Sequence, residues 1–240
     1  IDQKDNILGF EPSKNVADLA QAEGVPTTNE FFNSENASKY KNFLGQTDAI
    51  FASNCICHIP DLNNLIKGVD LLLSKNGTFI FEEPYLGSMF EKTSYDQIYD
   101  EHIYMFSATS ISKICRLFDM ELIDVIKQET HGGSLRYVCS RKSEYEISDN
   151  VYQMIDEEKR LNIDNEKASL EFKNNCEISK KKLREKIINL KNKGMSISGY
   201  AATSKSTTIL NYCDIGAEHI DFICDTTPEK IGKFSPGKHI

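Results

Sequence analysis

Four successive residues combine a phenol, two carboxylates and an imidazole: residues 99–102 read Tyr-Asp-Glu-His. An imidazole beside a carboxylate can be held in one tautomer and tuned toward neutral pH, as a general base requires. The cluster follows a strand-like run at residues 78–84, and parallel sheets bind ligands beyond the carboxyl ends of their strands. Tyr99, Glu101 and His102 therefore indicate an enzyme, with a surface helix of mixed charge as the alternative interpretation.

Other polar side chains also stand at the ends of predicted strands. Glu11 ends the first strand, where nucleotide-binding sheets place a carboxylate for ribose hydroxyls, although it could equally favour the dipole of the next helix. His58 lies just past the strand at residues 48–54, and its alternative role is packing or capping. Glu82 and Glu83 end the next strand, and one of them could bind a ligand or hold a catalytic side chain. Exposed charge at a strand end is the alternative.

Two turns offer groups that could bind an anion. Residues 132–136 read Gly-Gly-Ser-Leu-Arg, which places backbone N–H groups near the Arg136 guanidinium and suits either a phosphate or a tight hairpin. Residues 203–206 read Thr-Ser-Lys-Ser at a strand-to-helix turn, where exposed N–H groups and the helix dipole attract anions. The spacing is not that of a P-loop, so nucleotide hydrolysis is not predicted.

Alternating strands and helices must position these side chains, and this alternation predicts an α/β fold with a parallel sheet and crossover helices. Helices are predicted at residues 15–24, at residues 59–75 with Asn76-Gly77 closing the helix, and after a cap at Thr109. The predicted strands are residues 7–12, 48–54 (of buried type), 78–82, 121–126 and 134–139. A helical connector follows at residues 148–194, and a second strand-turn-helix-strand covers residues 196–225.

Bulk composition excludes several classes of function. The 240-residue chain has a net charge of −8, which argues against binding nucleic acid or an anionic membrane surface, because clustered Lys and Arg hold phosphates. The seven cysteines lack zinc-knuckle spacing, so reduced thiols are expected. No apolar run approaches the about 20 residues that span a bilayer. These features predict a soluble, cytoplasmic protein, and oligomeric state is not readable from the sequence.

Six segments together resemble the S-adenosylmethionine-dependent sugar C-methyltransferases, which act on nucleotide-linked ketosugars in deoxysugar biosynthesis. The resemblance covers nearly the whole chain, and its most specific element is the run Tyr-Asp-Gln-Ile-Tyr-Asp-Glu-His at residues 95–102. The segments are 9–13 (Gly-Phe-Glu-Pro-Ser), 57–60 (Cys-His-Ile-Pro), 81–85 (Phe-Glu-Glu-Pro-Tyr), 95–107, 131–136 (His-Gly-Gly-Ser-Leu-Arg) and 199–205 (Gly-Tyr-Ala-Ala-Thr-Ser-Lys).

The resemblance implies a reaction and a set of site residues. A base removes the proton next to a sugar ketone, and the carbon of the resulting enolate attacks the sulfonium methyl group. His102 matches the family's base. Residues matched to the catalytic sugar site are Glu101, Tyr99 and His58. Residues assigned to the S-adenosylmethionine site are Glu11, Pro12, Ser53 and Asn54, and those assigned to the nucleotide-linked sugar are Glu83, Tyr85, Arg136, Thr203 and Lys205.

The resemblance also implies a domain plan, with departures from the family pattern. Residues 1–147 are expected to form a partial Rossmann-like methyltransferase sheet, 148–194 a helical connector, and 195–240 a second, smaller Rossmann-like domain. The family's zinc-binding domain and glycine-rich cofactor loop have no counterpart in the chain, so zinc is not expected and a truncated product is predicted. Ala201 stands where glycine is expected, which disfavours close approach of the backbone to a phosphate.

Two other classes of function are alternatives to the methyltransferase. A non-catalytic sugar-nucleotide binding module, or an inactive fragment of the enzyme, would explain an incomplete cofactor site. A short-chain dehydrogenase or epimerase requires a tyrosine followed four residues later by lysine, and none of the ten tyrosines has that partner. The leading prediction is therefore C-methylation of a nucleotide-linked ketodeoxysugar.

Overall fold

The computed structural model describes residues 7–240, which form two compact units. Unit 1 contains the described residues up to Glu82, together with Ala108–Ile126 and Arg136–Val151. Unit 2 contains Glu83–Ser107, Lys127–Leu135 and Tyr152–Ile240. The predicted domain plan, which begins at residue 1 outside the described residues, places its boundaries at residues 147 and 194, and these remain predictions.

Strands and helices alternate along the described chain. In order, the first elements are β1 (Gly9–Phe10), α1 (Lys14–Ala22), β2 (Thr27–Thr28), α2 (Ser34–Ala37), β3 (Thr47–Ser53), α3 (Leu62–Leu72), β4 (Leu73–Pro84) and α4 (Leu86–Lys92). They are followed by α5 (Ala108–Arg116), β5 (Met120–Gln128), β6 (Ser134–Arg141), α6 (Asp149–Leu161), α7 (Glu166–Asn192), β7 (Ser198–Tyr200), α8 (Ser204–Tyr212) and β8 (Phe222–Cys224).

The predicted α/β fold is confirmed by the pairing of the strands. β3 and β4 are parallel and are joined by α3, as a crossover connection requires. Their four-stranded sheet has the order β3-β4-β6-β5, and β1 and β2 form a separate parallel pair. On the sheet, the Phe81 ring stacks on Phe79 and Tyr137, with ring centroids 4.9 and 4.8 Å apart.

The end of the predicted helix at residues 59–75 is wrong. α3 ends at Leu72, and Asn76-Gly77 lies inside β4. The strand register shifts here, from Thr47 opposite Leu73 to Ala49 opposite Thr78. A Cβ on Gly77 would lie 2.6 Å from the Thr47 carbonyl oxygen. The glycine therefore permits a close strand approach at an irregularity, a position that shares its sequence signature with a helix end.

Two further details differ from the sequence expectations. Thr109 does not cap α5, because the helix already begins at Ala108 and places Thr109 within its first turn. β3 is not a buried strand, since the Phe51 side chain in its middle is 63% exposed. β3 lies at the edge of the four-stranded sheet, so within the described part of the chain only one neighbour covers it. An apolar run alone does not distinguish an edge strand from a central one.

The predicted helical connector is found as two helices, α6 and α7, within unit 2 from Tyr152 onward. Asn162 has a left-handed φ of 52° where α6 has ended, and the Asn165 side chain accepts from the Ala168 N–H at the start of α7. The connector is therefore broken by an asparagine-rich turn that stops one helix and caps the next.

The carboxyl-terminal part of unit 2 also matches its prediction. β7 and β8 are parallel and are joined by α8, which gives the second, smaller α/β element. A buried cluster joins this element to α7 and to the segment before the Tyr-Asp-Glu-His run: Tyr95, Cys176, Leu210, Cys213, Ile215 and Ile220. The Tyr95 hydroxyl contacts the Cys213 Sγ at 3.4 Å, and burial raises the pKa of Tyr95 to about 12. The segment that carries the candidate base is thus fixed to the unit 2 core.

Among the described residues, no helix is both long and apolar enough to cross a lipid bilayer.

Candidate active site

The Tyr-Asp-Glu-His run forms a tight turn and not the surface helix that was its alternative interpretation. The His102 N–H donates to the Tyr99 carbonyl at 3.0 Å, which folds the two side chains onto the same side of the turn. Their ring centroids lie 4.1 Å apart, and the Tyr99 hydroxyl lies 2.8 Å from His102 Nε2. Both side chains are partly buried. The structure therefore brings together two of the residues predicted for the catalytic site.

The second ring nitrogen of His102 determines the tautomer. Nδ1 lies 2.8 Å from the main-chain carbonyl oxygen of Gln97. A carbonyl oxygen can only accept a hydrogen bond, so Nδ1 must carry the proton. In the neutral ring Nε2 then carries the lone pair, which accepts a hydrogen bond from the Tyr99 hydroxyl. His102 is thus oriented with Nε2 as its basic atom, in contact with a phenol that can exchange a proton with it.

The carboxylate next in sequence does not provide that Nδ1 bond. The Glu101 side chain is exposed on the turn, whereas the hydrogen bond to Nδ1 is made by a carbonyl five residues before His102. The imidazole is held, as the sequence predicts, but by a main-chain carbonyl and not by the adjacent carboxylate. Gln97 gave no signal by residue type, because the bond is made by its main-chain carbonyl. The catalytic role of Glu101 remains a prediction.

Residues 131–133 lie in the connection between β5 and β6, which are neighbours in the sheet. Of the two interpretations of the glycine-rich segment, a phosphate site or a hairpin, the structure therefore matches the hairpin. Its residues His131, Gly132 and Gly133 have φ values of 52°, 83° and 131°. Each of the three carbonyls accepts a hydrogen bond within unit 2. The donors are Gln97 Nε2 to His131 (2.5 Å), Lys92 Nζ to Gly132 and the Tyr85 N–H to Gly133 (3.0 Å). The unusual backbone of this turn is therefore held at every residue.

Two residues predicted to bind the sugar nucleotide are buried at the start of unit 2. Glu83 is fully buried and Tyr85 is 5% exposed. Burial, followed by the nearby Glu158 carboxylate, raises the pKa of Tyr85, so the phenol stays protonated. Glu158, itself 2% exposed, was not singled out from the sequence, because it lies in a charge-rich helix. Substrate binding by Glu83 and Tyr85 remains a prediction.

In unit 1, the Arg136 guanidinium is paired with a buried carboxylate. Arg136 Nη2 and Nε lie 2.9 and 3.3 Å from Glu82 Oε2, and Glu82 is 6% exposed. The two residues lie on neighbouring strands, β6 and β4. The sequence named both but did not pair them, because neither the strand order nor the register was readable. A role for Arg136 in substrate binding remains a prediction.

The residues predicted for the cofactor lie at the carboxyl ends of β1 and β3. Glu11 Oε1 accepts from the Ser13 N–H at 2.7 Å, which fixes the turn before α1. Asn54 has a left-handed φ of 52°, and its Nδ2 donates to Ser53 Oγ at 3.0 Å. The Asn54 Oδ1 atom is buried without a partner in the described part of the chain. A buried acceptor of this kind requires a donor, and a ligand can supply one.

Two other residues of unit 1 were also predicted to serve the site. Pro12 is exposed two residues after the end of β1, and His58 is partly buried at the end of the single helical turn Ile56–His58. The structure places both beyond the carboxyl ends of strands, and their roles remain predictions.

The predicted anion site at the start of α8 is a capped helix end. The Thr203 side chain accepts from the Ser206 N–H at 3.1 Å, and Ser206 Oγ accepts from the Thr203 N–H at 2.9 Å. Two N–H groups that an anion could use are therefore already bonded. Ala201 has a φ of 72°, a conformation that favours the glycine expected there. Lys205 is partly buried on the first turn of α8, and its role, like that of Thr203, remains a prediction.

Comparison with known proteins assigns both halves of the chain. A family model described as a methyltransferase domain matches residues 2–125, and one described as a C-methyltransferase C-terminal domain matches residues 129–240. The C-methyltransferase NovU of Streptomyces niveus is 31% identical over 238 residues, which cover 98% of this chain. The chain spans 56% of the length of that relative.

Solved structures give weaker matches. A SAM-dependent methyltransferase from Anabaena variabilis aligns with 16% identity and a TM-score of 0.43, covering 57% of this chain and 68% of that one. A Burkholderia thailandensis 1,6-didemethyltoxoflavin-N1-methyltransferase aligns with 13% identity and a TM-score of 0.42, covering 57% and 62%. The fold assignment follows from the strand pairing and the family match.

Close packing of the turn at residues 131–133 can be tested by substitution of Gly133. At Gly133 a Cβ would lie 2.5 Å from Ser88 Oγ, in addition to the strain at a φ of 131°. We expect Gly133→Ala to lower the free energy of unfolding by about 2–5 kcal/mol. Urea unfolding followed by circular dichroism measures this value.

Gly194→Ala is the matched control, because Gly194 also has a positive φ, of 77°, but no atom lies within 4 Å of its built Cβ. Only backbone strain of about 1–2 kcal/mol is expected there. Equal losses in the two variants would contradict close packing at Gly133.

Proposed function

This chain belongs to the methyltransferase family, and we propose that it transfers a methyl group from S-adenosylmethionine to a carbon of a nucleotide-linked ketodeoxysugar. The methylated carbon lies next to the ketone. The family match supports a methyl transfer, and the resemblance of residues 95–107 supports a sugar substrate. C-methylation differs from transfer to oxygen or nitrogen because the accepting carbon must first lose a proton.

The observation that carries the proposal is the hydrogen-bonded His102. The Gln97 carbonyl keeps the proton on Nδ1, and Nε2 therefore presents its electron pair to the Tyr99 hydroxyl 2.8 Å away. A base for a carbon-bound proton needs this arrangement, with one basic atom in a fixed direction. His102 takes the proton, and polar groups near the ketone stabilise the negative charge that develops on its oxygen.

Tyr99 determines how the proton reaches His102. Because its hydroxyl donates to Nε2, the phenol oxygen can take the proton from the sugar carbon while its own proton passes to Nε2. The carbon–hydrogen bond breaks, its electron pair forms the enolate, and His102 ends as the imidazolium. We propose that the base is this Tyr99–His102 pair and not an isolated imidazole.

The chain also contains groups that fit the proposed cofactor. The partnerless, buried Oδ1 of Asn54 can accept from a ligand N–H or O–H group, and the Glu11 carboxylate at the end of β1 can accept from ribose hydroxyls. Pro12 and Ser53 lie next to these two residues. Bound S-adenosylmethionine supplies an electrophilic methyl group, and the residues named here bind and orient it.

The role of His102 can be tested separately from methyl transfer. His102→Asn should slow methylation of nucleotide-linked ketodeoxysugars by about 10²- to 10⁴-fold, the usual contribution of a positioned base. Incorporation of deuterium from D₂O into the substrate should slow equally, because it reports proton abstraction without the cofactor.

The matched control is His239→Asn, since His239 is exposed and has a left-handed φ of 52° that asparagine tolerates. Wild-type rates in His102→Asn would remove the assignment of the base.

A second substitution tests the proton path through the phenol. Tyr99→Phe keeps the ring but removes the hydroxyl, so we expect deuterium incorporation to fall by about 10²-fold or more. Mass spectrometry of the recovered substrate measures it. Incorporation that is retained or increased would show that Nε2 takes the proton directly and that the phenol only covers it.

Calorimetry separates the enzyme from a non-catalytic binding module. The proposed function predicts that the chain binds both S-adenosylmethionine and a sugar nucleotide, and that Glu11→Gln weakens cofactor binding by about 5- to 20-fold through loss of a charged acceptor. Glu23→Gln, at the other end of α1, changes the net charge equally and should leave binding unchanged. Binding of the sugar nucleotide without the cofactor would favour the module.

A further inference from the structure

Gln97 has a polar side chain that is buried close to the candidate base. It ends the single helical turn Tyr95–Gln97 and is 4% exposed. A buried primary amide requires hydrogen-bond partners for two donors and one acceptor. An apolar side chain would fill the same space without that requirement, so the contacts of the amide indicate its purpose.

Both ends of Gln97 are engaged within unit 2. Its main-chain carbonyl accepts from His102 Nδ1 at 2.8 Å, and its side-chain Nε2 donates to the His131 carbonyl at 2.5 Å. Because the His131 carbonyl can only accept, the amide must point its NH₂ group toward His131, and its orientation is fixed by chemistry. Gln97 therefore connects the candidate base to the turn at residues 131–133.

The turn to which the amide is bonded is itself held by hydrogen bonds. The carbonyls that flank the His131 carbonyl in sequence, those of Gly132 and Gly133, are held by Lys92 and by the Tyr85 N–H. On the other side of Gln97, the Gln97 N–H donates to the Ser94 carbonyl at 3.2 Å, and Tyr95 packs in the buried cluster of unit 2. The side-chain amide ties the end of the helical turn to the His131 carbonyl. Rotation of that end would break this bond and move the Gln97 carbonyl away from His102.

The side-chain oxygen of Gln97, Oε1, indicates that the residue does more than fill space in the core. Gln97 lines a cavity of about 10 Å³, together with Pro84, Tyr85 and Met105, which has room for about one water molecule. Gln97 Oε1 is buried with no partner in residues 7–240. A side chain selected only for stability would avoid a buried acceptor of this kind.

We propose that Gln97 is a positioning residue that fixes the tautomer and orientation of His102, through the tether from its side-chain amide to the His131 carbonyl. The proposal rests on the proposed function for its catalytic meaning, because His102 is the base only if the protein abstracts a carbon-bound proton. The hydrogen-bond relation itself exists without substrate or cofactor, and it can be measured in the chain alone.

The test uses Gln97→Met, which keeps the length of the side chain but removes its donor. Nitrogen-15 NMR of the imidazole reports the tautomer, and the His102 signals are assigned by their loss in His102→Asn. In the unsubstituted chain the Nδ1–H tautomer should dominate, with a slowly exchanging Nδ1 proton. In Gln97→Met the fraction of the Nε2–H tautomer should increase about fivefold, and the exchange rate of the Nδ1 proton should increase by a similar factor. A change of this size is expected from the loss of one hydrogen bond.

Gln21→Met is the matched control, because Gln21 Nε2 makes the same kind of bond, 2.6 Å to the Thr27 carbonyl, but in unit 1. It should leave both readouts unchanged. If Gln97→Met is folded and the tautomer ratio is unaltered, the proposal is overturned. If that variant does not fold, the unsubstituted chain still decides, since a rapidly exchanging Nδ1 proton would overturn the proposal and a protected one would support it.

An activity assay then separates the two levels of inference. In Gln97→Met, kcat should fall about 10- to 100-fold with little change in KM, as expected when a reacting group is misplaced. A shifted tautomer in a protein that transfers no methyl group would retain the positioning role and remove the proposed function. An unshifted tautomer in Gln97→Met, together with methyl transfer by the unsubstituted chain, would retain the proposed function and remove the positioning role.

Discussion

The candidate site depends on one asymmetric hydrogen bond, the one between His102 Nδ1 and the Gln97 carbonyl oxygen. A carboxylate in that position would also hold the ring, but it could take the Nδ1 proton and would bring a full negative charge close to the imidazole. A carbonyl can do neither. It fixes the proton on Nδ1 in both charge states of the ring, so that only Nε2 changes its protonation. The Tyr99 hydroxyl then faces an atom whose role is already determined.

Such a bond is useful only if the carbonyl is held in place, and several contacts within unit 2 contribute to this. Tyr95 is buried among residues of α7 and α8 and contacts Cys213. Its ring also lies 5.1 Å from that of Tyr212, centroid to centroid. These contacts fix the start of the short helical turn, and the amide of Gln97 fixes its end. The carboxyl-terminal element thus helps to hold the segment that carries His102, the proposed base.

The sequence was a good guide to the types of the elements, but a poor guide to the partners of individual side chains. Periodicity and strand alternation located the α/β fold, the connector and the second βαβ element, because these depend on local patterns. The end of α3 was misplaced because Gly77 signals a helix stop and a strand irregularity equally well. The burial of β3 was overestimated, since strand order decides which strands lie at an edge. The Nδ1 partner of His102 was missed, because a main-chain carbonyl has no residue-type signature.

The pairing of Arg136 with Glu82 shows how such partners constrain function. Glu82 Oε2 accepts two hydrogen bonds from the guanidinium, and the Glu82 side chain is only 8% exposed. If Arg136 turned to bind a diphosphate, the buried Glu82 carboxylate would lose this ion pair and its two hydrogen bonds, which is costly in a poorly solvated site. The better physical assignment is that Arg136 is the ion-pair partner of Glu82 at the carboxyl end of β4. If the proposed nucleotide-linked substrate binds, Lys205 on α8, and not Arg136, is then the cation predicted to compensate its diphosphate charge.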